Sequence, residues 1–283
     1  MIRSLYSGVT GIQQFQERLD VIANNIANVN TTAFKSARVN FADSFSQTLR
    51  TSAAGGASAS GQAALQVGTG VNTAAIQNLF GQGAISRTGN ATDLAISGQG
   101  FFTVRDVVSG SVFATRAGEF HTDANGYIVT DKGMRAQGYV DAGRTTQGDL
   151  KIDMTGAPLT SAAGATVASY AIDQTGKINV RLSDGSEFVR GQVLLQNFSD
   201  PEVLTKQGDN LYSGLSSAGP LGTPLSPGSS GLGKLEAGAL ELSNVDLANE
   251  FTSLITTQRA FQANARVITT SDEVLQELVN LKR

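Results

Sequence analysis

The chain contains no cysteine and no tryptophan, one histidine and five prolines in 283 residues. Without cysteine there are no disulfides and no thiolate metal sites. Any imidazole-ligated metal centre or Ser-His-Asp triad would have to use His121, which sits in a predicted strand beside a turn with no partner at a supporting spacing. Charge is also scarce: 16% of residues are charged and the net charge is −3, which leaves no electrostatic footprint for nucleic acid. No apolar run is long enough to span a bilayer, so no membrane insertion is expected. The start, Met1 to Tyr6, is followed closely by Gln13, Gln14, Gln16, Glu17 and Arg18 and lacks the continuous apolar core of a signal peptide. If the protein leaves the cytoplasm, the expected route cleaves no leader. Two further motifs dissolve on inspection. Asp123-Ala-Asn-Gly126 lacks the third acidic position and the distal Glu of a calcium loop. Gly98-Gln-Gly100 has no third glycine in place and precedes a strand rather than a helix, unlike a dinucleotide fingerprint. No catalytic, cofactor-binding or metal-binding residues are expected.

What the chain does have is glycine, 32 residues of it, and enough hydrophobic residues, 40%, to build a core. That composition fits a turn-rich β protein that is secreted or assembled. Its two ends carry a different pattern. Leu5, Val9, Ile12, Gln16, Leu19, Ala23 and Ile26 form one stripe; Leu247, Phe251, Leu254, Gln258, Phe261, Ala265, Ile268, Asp272, Leu275 and Val279 form another. The steps alternate between four and three, the spacing of helices packed along a seam. A lone amphipathic helix is poorly stable in water. Either the two ends pair with each other as a coiled coil or many copies pair together, with Gln16 and Gln258 setting the register. Helices are predicted from about Ile2 to Ala27, where Asn24, Asn25, Asn28 and Asn30 crowd the end, and from Leu240 to Asp246 onwards, with Asn244 or Asp246 as N-cap.

Between the ends the predicted elements are short strands. Phe41 and Phe45, four apart, would share one face of a helical turn. Thr51 to Ala64 has no large apolar side chain and reads as an extended loop. From Val71 the pattern is β, with a hairpin at Asn125-Gly126 and turns at Thr175-Gly176 and Asp184-Gly185. Asp141 to Ala165 reads as a longer connection or a sheet edge, and Ser216 to Gly233 as a linker. The expected fold class is α+β: long terminal helices and a central all-β, antiparallel, sandwich- or barrel-like domain. The expected division is 1–45 plus 240–283 as the helical domain, 46–70 as an extended insert and 71–239 as the β domain.

Several stretches resemble one family. Ala23-Asn-Asn-Ile-Ala-Asn-Val-Asn-Thr-Thr-Ala-Phe-Lys35 is similar to the N-terminal signature of bacterial flagellar rod and hook proteins, and Ser243-Asn-Val-Asp-Leu-Ala-Asn-Glu250 with Gln258-Arg-Ala-Phe-Gln-Ala-Asn-Ala265 to the C-terminal one. Asp93 to Phe102, Thr115 to Phe120, Asn125-Gly-Tyr127 and Gly208-Asp-Asn-Leu-Tyr212 also match, so the resemblance spans nearly the whole chain in order. It implies a non-enzymatic axial subunit located in the bacterial flagellum. Such a subunit is a homopolymer through its terminal helices, with neighbouring rod, hook and cap proteins as partners. It leaves through the flagellar type III export apparatus without a cleaved leader. On this resemblance the assembly interface comprises Leu5, Val9, Ile12, Leu19, Ile26, Asn24, Asn25 and Asn28 at one end. At the other it comprises Leu247, Phe251, Leu254, Phe261, Ile268 and Leu275. Phe41 and Phe45 are either an export motif or a packing pair. The insert Thr51 to Ala64 resembles distal rod proteins, while Ser243 to Asp246 and Leu278 to Leu281 lean towards hook proteins. A secreted β-sandwich binding module is the alternative outside the family.

Overall fold

The computed structural model describes residues 2–52, 54–55, 60–141, 143–157 and 165–281. The fold is α+β, with a helix at each end and a large antiparallel sheet between. The chain divides into two compact units, residues 1–27, 36–79 and 246–283 in one and residues 28–35 and 80–245 in the other.

In the first unit, helix α1 spans Ile2–Ala27, the range expected from its periodicity, and helix α2 spans Leu247–Asn280. Asp246 is the cap that begins α2: its carboxylate accepts from the backbone N–H groups of Ala248 and Asn249, and Glu250 lies in the first turn. The expectation that Leu240 to Asp246 opens this helix is corrected. Ala239–Glu241 is a strand paired with Ile85–Arg87, because those residues alternate inward and outward and find a β partner before the cap is reached. The helical turn expected at Phe41 and Phe45 is corrected too. Ala37–Asp43 is a strand, antiparallel to Val71–Asn78, and the β-branched and aromatic residues Val39, Phe41, Thr73 and Ile76 favour that pairing. This pairing also groups Val71–Asn78 with the helices. Ser46–Arg50 pairs with Leu65–Gly68, so paired strands flank the stretch Thr51 to Ala64 expected as a loop. Of that small-residue stretch, residues 53 and 56–59 lie outside the described residues.

The second unit is built on one continuous antiparallel path. Its strands run Val167–Ile172, Lys177–Leu182, Glu187–Val193, Arg135–Tyr139, Phe101–Arg105, Val112–Thr115, Leu211–Ser213 and Thr205–Gly208. Period-two alternation puts neighbouring rings on opposite faces. Phe102 joins Leu94, Ile96, Val104, Phe120, Ile178, Val180 and Leu195 in the main core, with its ring edge-on to Phe120 at 5.3 Å. Phe101 turns the other way, into a second cluster with Phe80, Phe198 and Tyr212. The expected hairpin at Asn125-Gly126 joins Phe120–Thr122 to Ile128–Thr130. Gly126 has a φ of +84°, and the Asp123 carboxylate accepts from the Asn125 and Tyr127 N–H groups, so that acid builds the turn. Asp141 to Ala165 contributes an edge strand, Gln147–Asp149, with residues 142 and 158–164 outside the described residues. The linker expected at Ser216 to Gly233 is corrected: Leu225 exchanges both backbone hydrogen bonds with Leu195, and Ala218 and Leu232 are buried. Its glycines and serines shape turns that lie on the sheet.

Asp149 gathers charge at the sheet edge. Its carboxylate accepts from Arg105 at 2.6 Å, Arg135 at 3.0 Å and Gln137 at 2.6 Å. Burial works against its ionisation, but these bonds and the charge of Arg105 outweigh that and hold its pKa below 3.8. Between that depressed value and 3.8 the unfolded chain binds the proton more readily, so stability falls as pH drops through the window. Asp149→Asn is therefore expected to lower the urea midpoint near neutral pH while losing less than the parent chain on going to about pH 3. Parallel losses in the two proteins would contradict this assignment.

Candidate assembly interface

The two helices pack antiparallel within the subunit. Going up α1, Gly8 faces Ile268, Gly11 faces Asn264, and Asn25 reaches Glu250. The contact is close because α1 presents no side chain there. A Cβ at Gly11 would lie 2.6 Å from the Asn264 amide nitrogen, and one at Gly8 would lie 3.2 Å from Ile268. On α1 the most buried positions are Gly8, Gly11, Gln14, Ile22 and Asn25, about one residue behind the apolar stripe. Gln14 is covered by the strand side, where the Thr73 hydroxyl meets both Gln14 and Glu17. On α2 the inner seam is Leu254, Thr257, Phe261, Asn264, Ile268, Ser271 and Leu275, with Thr257 fully enclosed.

The sequence-selected residues divide accordingly. Leu254, Phe261, Ile268 and Leu275 lie on the intramolecular seam, half-buried. Leu5, Ile12, Leu19, Ile26 and Asn28 are half-buried, and Asn24 is at the surface. Val9, Leu247 and Phe251 are exposed, Phe251 by 50%, together with Tyr6, Ile255, Val267, Val274 and Leu278. A helix pair whose seam shares glycine, threonine and asparagine with its leucines and phenylalanine, and which still presents further leucine, valine and phenylalanine outward, has an apolar surface of the kind that marks an interaction site. The strand pair adds to it. Phe41 is half-buried, edge-on to Phe15 at 5.9 Å, whereas Phe45 is 90% exposed and Leu49, Leu65 and Ile76 are exposed as well.

Asn25 is the polar centre of this unit. It is 2% exposed. Its side-chain amide pairs with the backbone of Ala37 as another strand would, with Nδ2 donating to the carbonyl at 2.8 Å and Oδ1 accepting from the N–H at 3.0 Å. Nδ2 also donates to the Glu250 carboxylate at 3.1 Å. One side chain thus joins α1, α2 and the strand Ala37–Asp43. Glu250, Thr257, Asn264, Gly8 and Gly11 were not singled out from sequence as seam residues, since a hydrophobicity pattern assigns no weight to glycine or to polar side chains that pair with each other. His121 belongs to the β unit and is half-exposed, with Nδ1 3.5 Å from Asp131.

Three family descriptions match the chain. "Flagella basal body rod protein" covers residues 5–35, "Flagellar hook protein FlgE/F/G D1 domain" residues 95–180, and "Flagellar basal body rod FlgEFG protein C-terminal" residues 236–281. The flagellar basal-body rod protein FlgG of Bacillus subtilis (strain 168) is 41% identical over 283 residues, covering 100% of both chains. The chain belongs to the flagellar rod and hook protein family. FlgG of Agrobacterium fabrum is 36% identical over 280 residues, covering 96% of this chain and 97% of its own. The flagellar hook protein FlgE of Borreliella burgdorferi is 29% identical, in an alignment that covers both chains fully but runs over 444 residues. As a family member the protein is a structural, non-enzymatic subunit of the flagellar axis, located in the bacterial flagellum among other axial components. The segments 5–35 and 236–281 cover most of the two helices and both side-chain partners of the Asn25 clamp, and the segment 95–180 falls on the β unit.

Replacing Asn25 with Ala would leave the Ala37 N–H and C=O without their partner. The expected cost is about 2 kcal/mol or more, measured as unfolding free energy in urea. A cost below roughly 0.5 kcal/mol would mean that the clamp contributes nothing net.

Proposed function

We propose that the protein is a distal-rod subunit that self-assembles through its terminal helices into a helical tube. The observation that carries this reading is the outward apolar face: Leu247, Phe251 and Ile255 on α2, with Tyr6 and Val9 on α1, remain uncovered in a folded subunit. Burying such residues against other copies is worth about 25 cal/mol per Å² of apolar surface, before the cost of association. A repeated contact between different surfaces builds an open filament rather than a closed ring. In this reading residues 1–27 and 246–283 form the inner tube, residues 80–245 form the outer wall, and the hairpin bearing residues 46–70 meets neighbouring copies. The rod assignment is supported by the full-length matches to proteins named FlgG and by the much longer alignment that the hook protein requires. The neighbours along the axis are other rod, hook and cap proteins.

We further propose that the chain is exported by the flagellar type III apparatus without cleavage of a leader, with Phe41 and Phe45 as its export motif. Phe45 supports this, because its ring has almost no packing role in the folded subunit.

Phe251→Asp tests the assembly reading. The side chain is half-exposed, so the subunit is expected to fold with unchanged circular dichroism while losing polymerisation altogether. Polymers like those of the parent chain would rule out this face as the contact. Electron micrographs of the parent polymer are expected to show straight tubes, and persistently curved ones would favour the hook reading. For export, Phe45→Ala should leave folding intact and retain the protein inside the cell. Normal amounts in the culture medium would remove the motif.

A further inference from the structure

The β unit contains a buried ion cluster that the assembly reading does not use. The side chains of Lys35 and Glu241 are fully enclosed, and that of Arg116 is nearly so. Lys35 Nζ donates to Glu241 Oε1 at 2.7 Å and to the Gly81 carbonyl at 2.8 Å. Arg116 donates to Glu241 Oε2 at 3.2 Å and to the Gly98 carbonyl at 2.8 Å, and its guanidinium stands 5.4 Å from the Phe101 ring centre. The Gly83 N–H donates to Glu241 Oε1 at 2.9 Å. One carboxylate therefore answers two cations and a backbone amide. Burial lowers the pKa of Lys35 and of Arg116, and the negative charge of Glu241 counters it in both.

The chain segments involved are the ones through which it enters and leaves the unit. The compact unit begins with the arm 28–35, resumes at Phe80 and ends at Val245. Lys35 closes the arm, Gly81 and Gly83 follow the second entry, and Glu241 precedes the exit. Backbone bonds follow the same route. The Ala33 N–H donates to the Glu241 carbonyl at 2.7 Å, the Leu242 N–H to Ala84 at 2.8 Å, and the Asn244 N–H to Phe34 at 3.4 Å. The arm does not relax into this place unaided: Ala33 is held at a φ of +54°, in the left-handed region that a non-glycine residue adopts only under constraint.

We propose that Glu241 is the fastening of a clasp that makes the arm 28–35, the entry at 80–84 and the exit strand Ala239–Glu241 dock and release as one. Until the exit strand brings its carboxylate, docking the arm would bury Lys35 beside Arg116 with no counter-charge, which is strongly unfavourable. The N-terminal arm thus completes its fold only when the C-terminal strand is present, and a pull on any one of these segments is shared by the other two.

Hydrogen–deuterium exchange of the full-length chain tests this. In Glu241→Gln, amides of residues 28–35, of Gly83 and of Leu242 are expected to exchange faster by a similar factor, roughly tenfold or more, while those of Lys177–Leu182 keep their protection. Lys35→Met, which alters only the arm, should produce the same joint acceleration at Gly83 and Leu242. Acceleration confined to the substituted segment would overturn the proposal. Acceleration spread equally to Lys177–Leu182 would overturn it too, since that marks general loss of stability. If Glu241→Gln does not fold, the Lys35→Met chain decides by the same criteria.

Discussion

The close approach of α1 and α2 across Gly8 and Gly11 determines which side chains the helical unit can offer to anything else. The seam combines two glycines, Thr257, Asn264 and the Asn25–Glu250 hydrogen bond with half-buried Leu254, Phe261, Ile268 and Leu275. Leu247, Phe251, Ile255 and Val9 are left outside. Here directional polar contacts position the helices, and much of the apolar surface lies elsewhere. In the proposed assembly that surface is what meets neighbouring copies.

The β unit follows a different economy. Its two apolar clusters lie on opposite faces of the strand that carries Phe101 and Phe102, and its turns are set by glycines and by carboxylates such as Asp123 that bind the local backbone. Its ions are placed where chain segments have to be joined. Asp149 links Arg105 and Arg135 across the sheet edge, and Glu241 links Lys35 and Arg116 in the interior. A buried ion pair is weak evidence for stability, since well-packed apolar residues often do as well. Its geometric selectivity is the better reason for it here, because the Glu241 carboxylate meets Lys35, Arg116 and the Gly83 N–H only with the segments that carry them in place.

Much of this was legible in the residues. The span of α1, the Asp246 cap, the Asn125-Gly126 hairpin and the run of antiparallel strands follow from local chemistry that acts within a few residues. Family membership was legible because the terminal and central motifs occur together and in order. What local pattern could not reach were contacts between distant segments. The intramolecular seam on α1 follows Gly8, Gly11, Ile22 and Asn25, one residue behind the apolar stripe, which no hydrophobicity pattern shows because glycine carries no hydrophobic weight although it permits the closest packing. Phe41 and Phe45 have a spacing compatible with a helix, and only the partner strand Val71–Asn78 decides for a strand. Ser216 to Gly233 has a linker's composition, yet Leu225 is fixed to Leu195. Lys35, Arg116 and Glu241 were passed over because no spacing announces an ion cluster whose two pairs span 206 and 125 positions.

The central claim is that polar and small residues close the intramolecular seam so that the outer apolar face can close the intermolecular one. The absence of native cysteine allows a direct measurement, because Ile255→Cys would carry the only thiol in the chain. Its rate of maleimide labelling should be that of a freely exposed thiol in the dilute subunit and should fall by about a hundredfold or more in the polymer, as expected for a site that opens only by local dissociation. Equal labelling rates in subunit and polymer would place that face outside the contact and contradict the account.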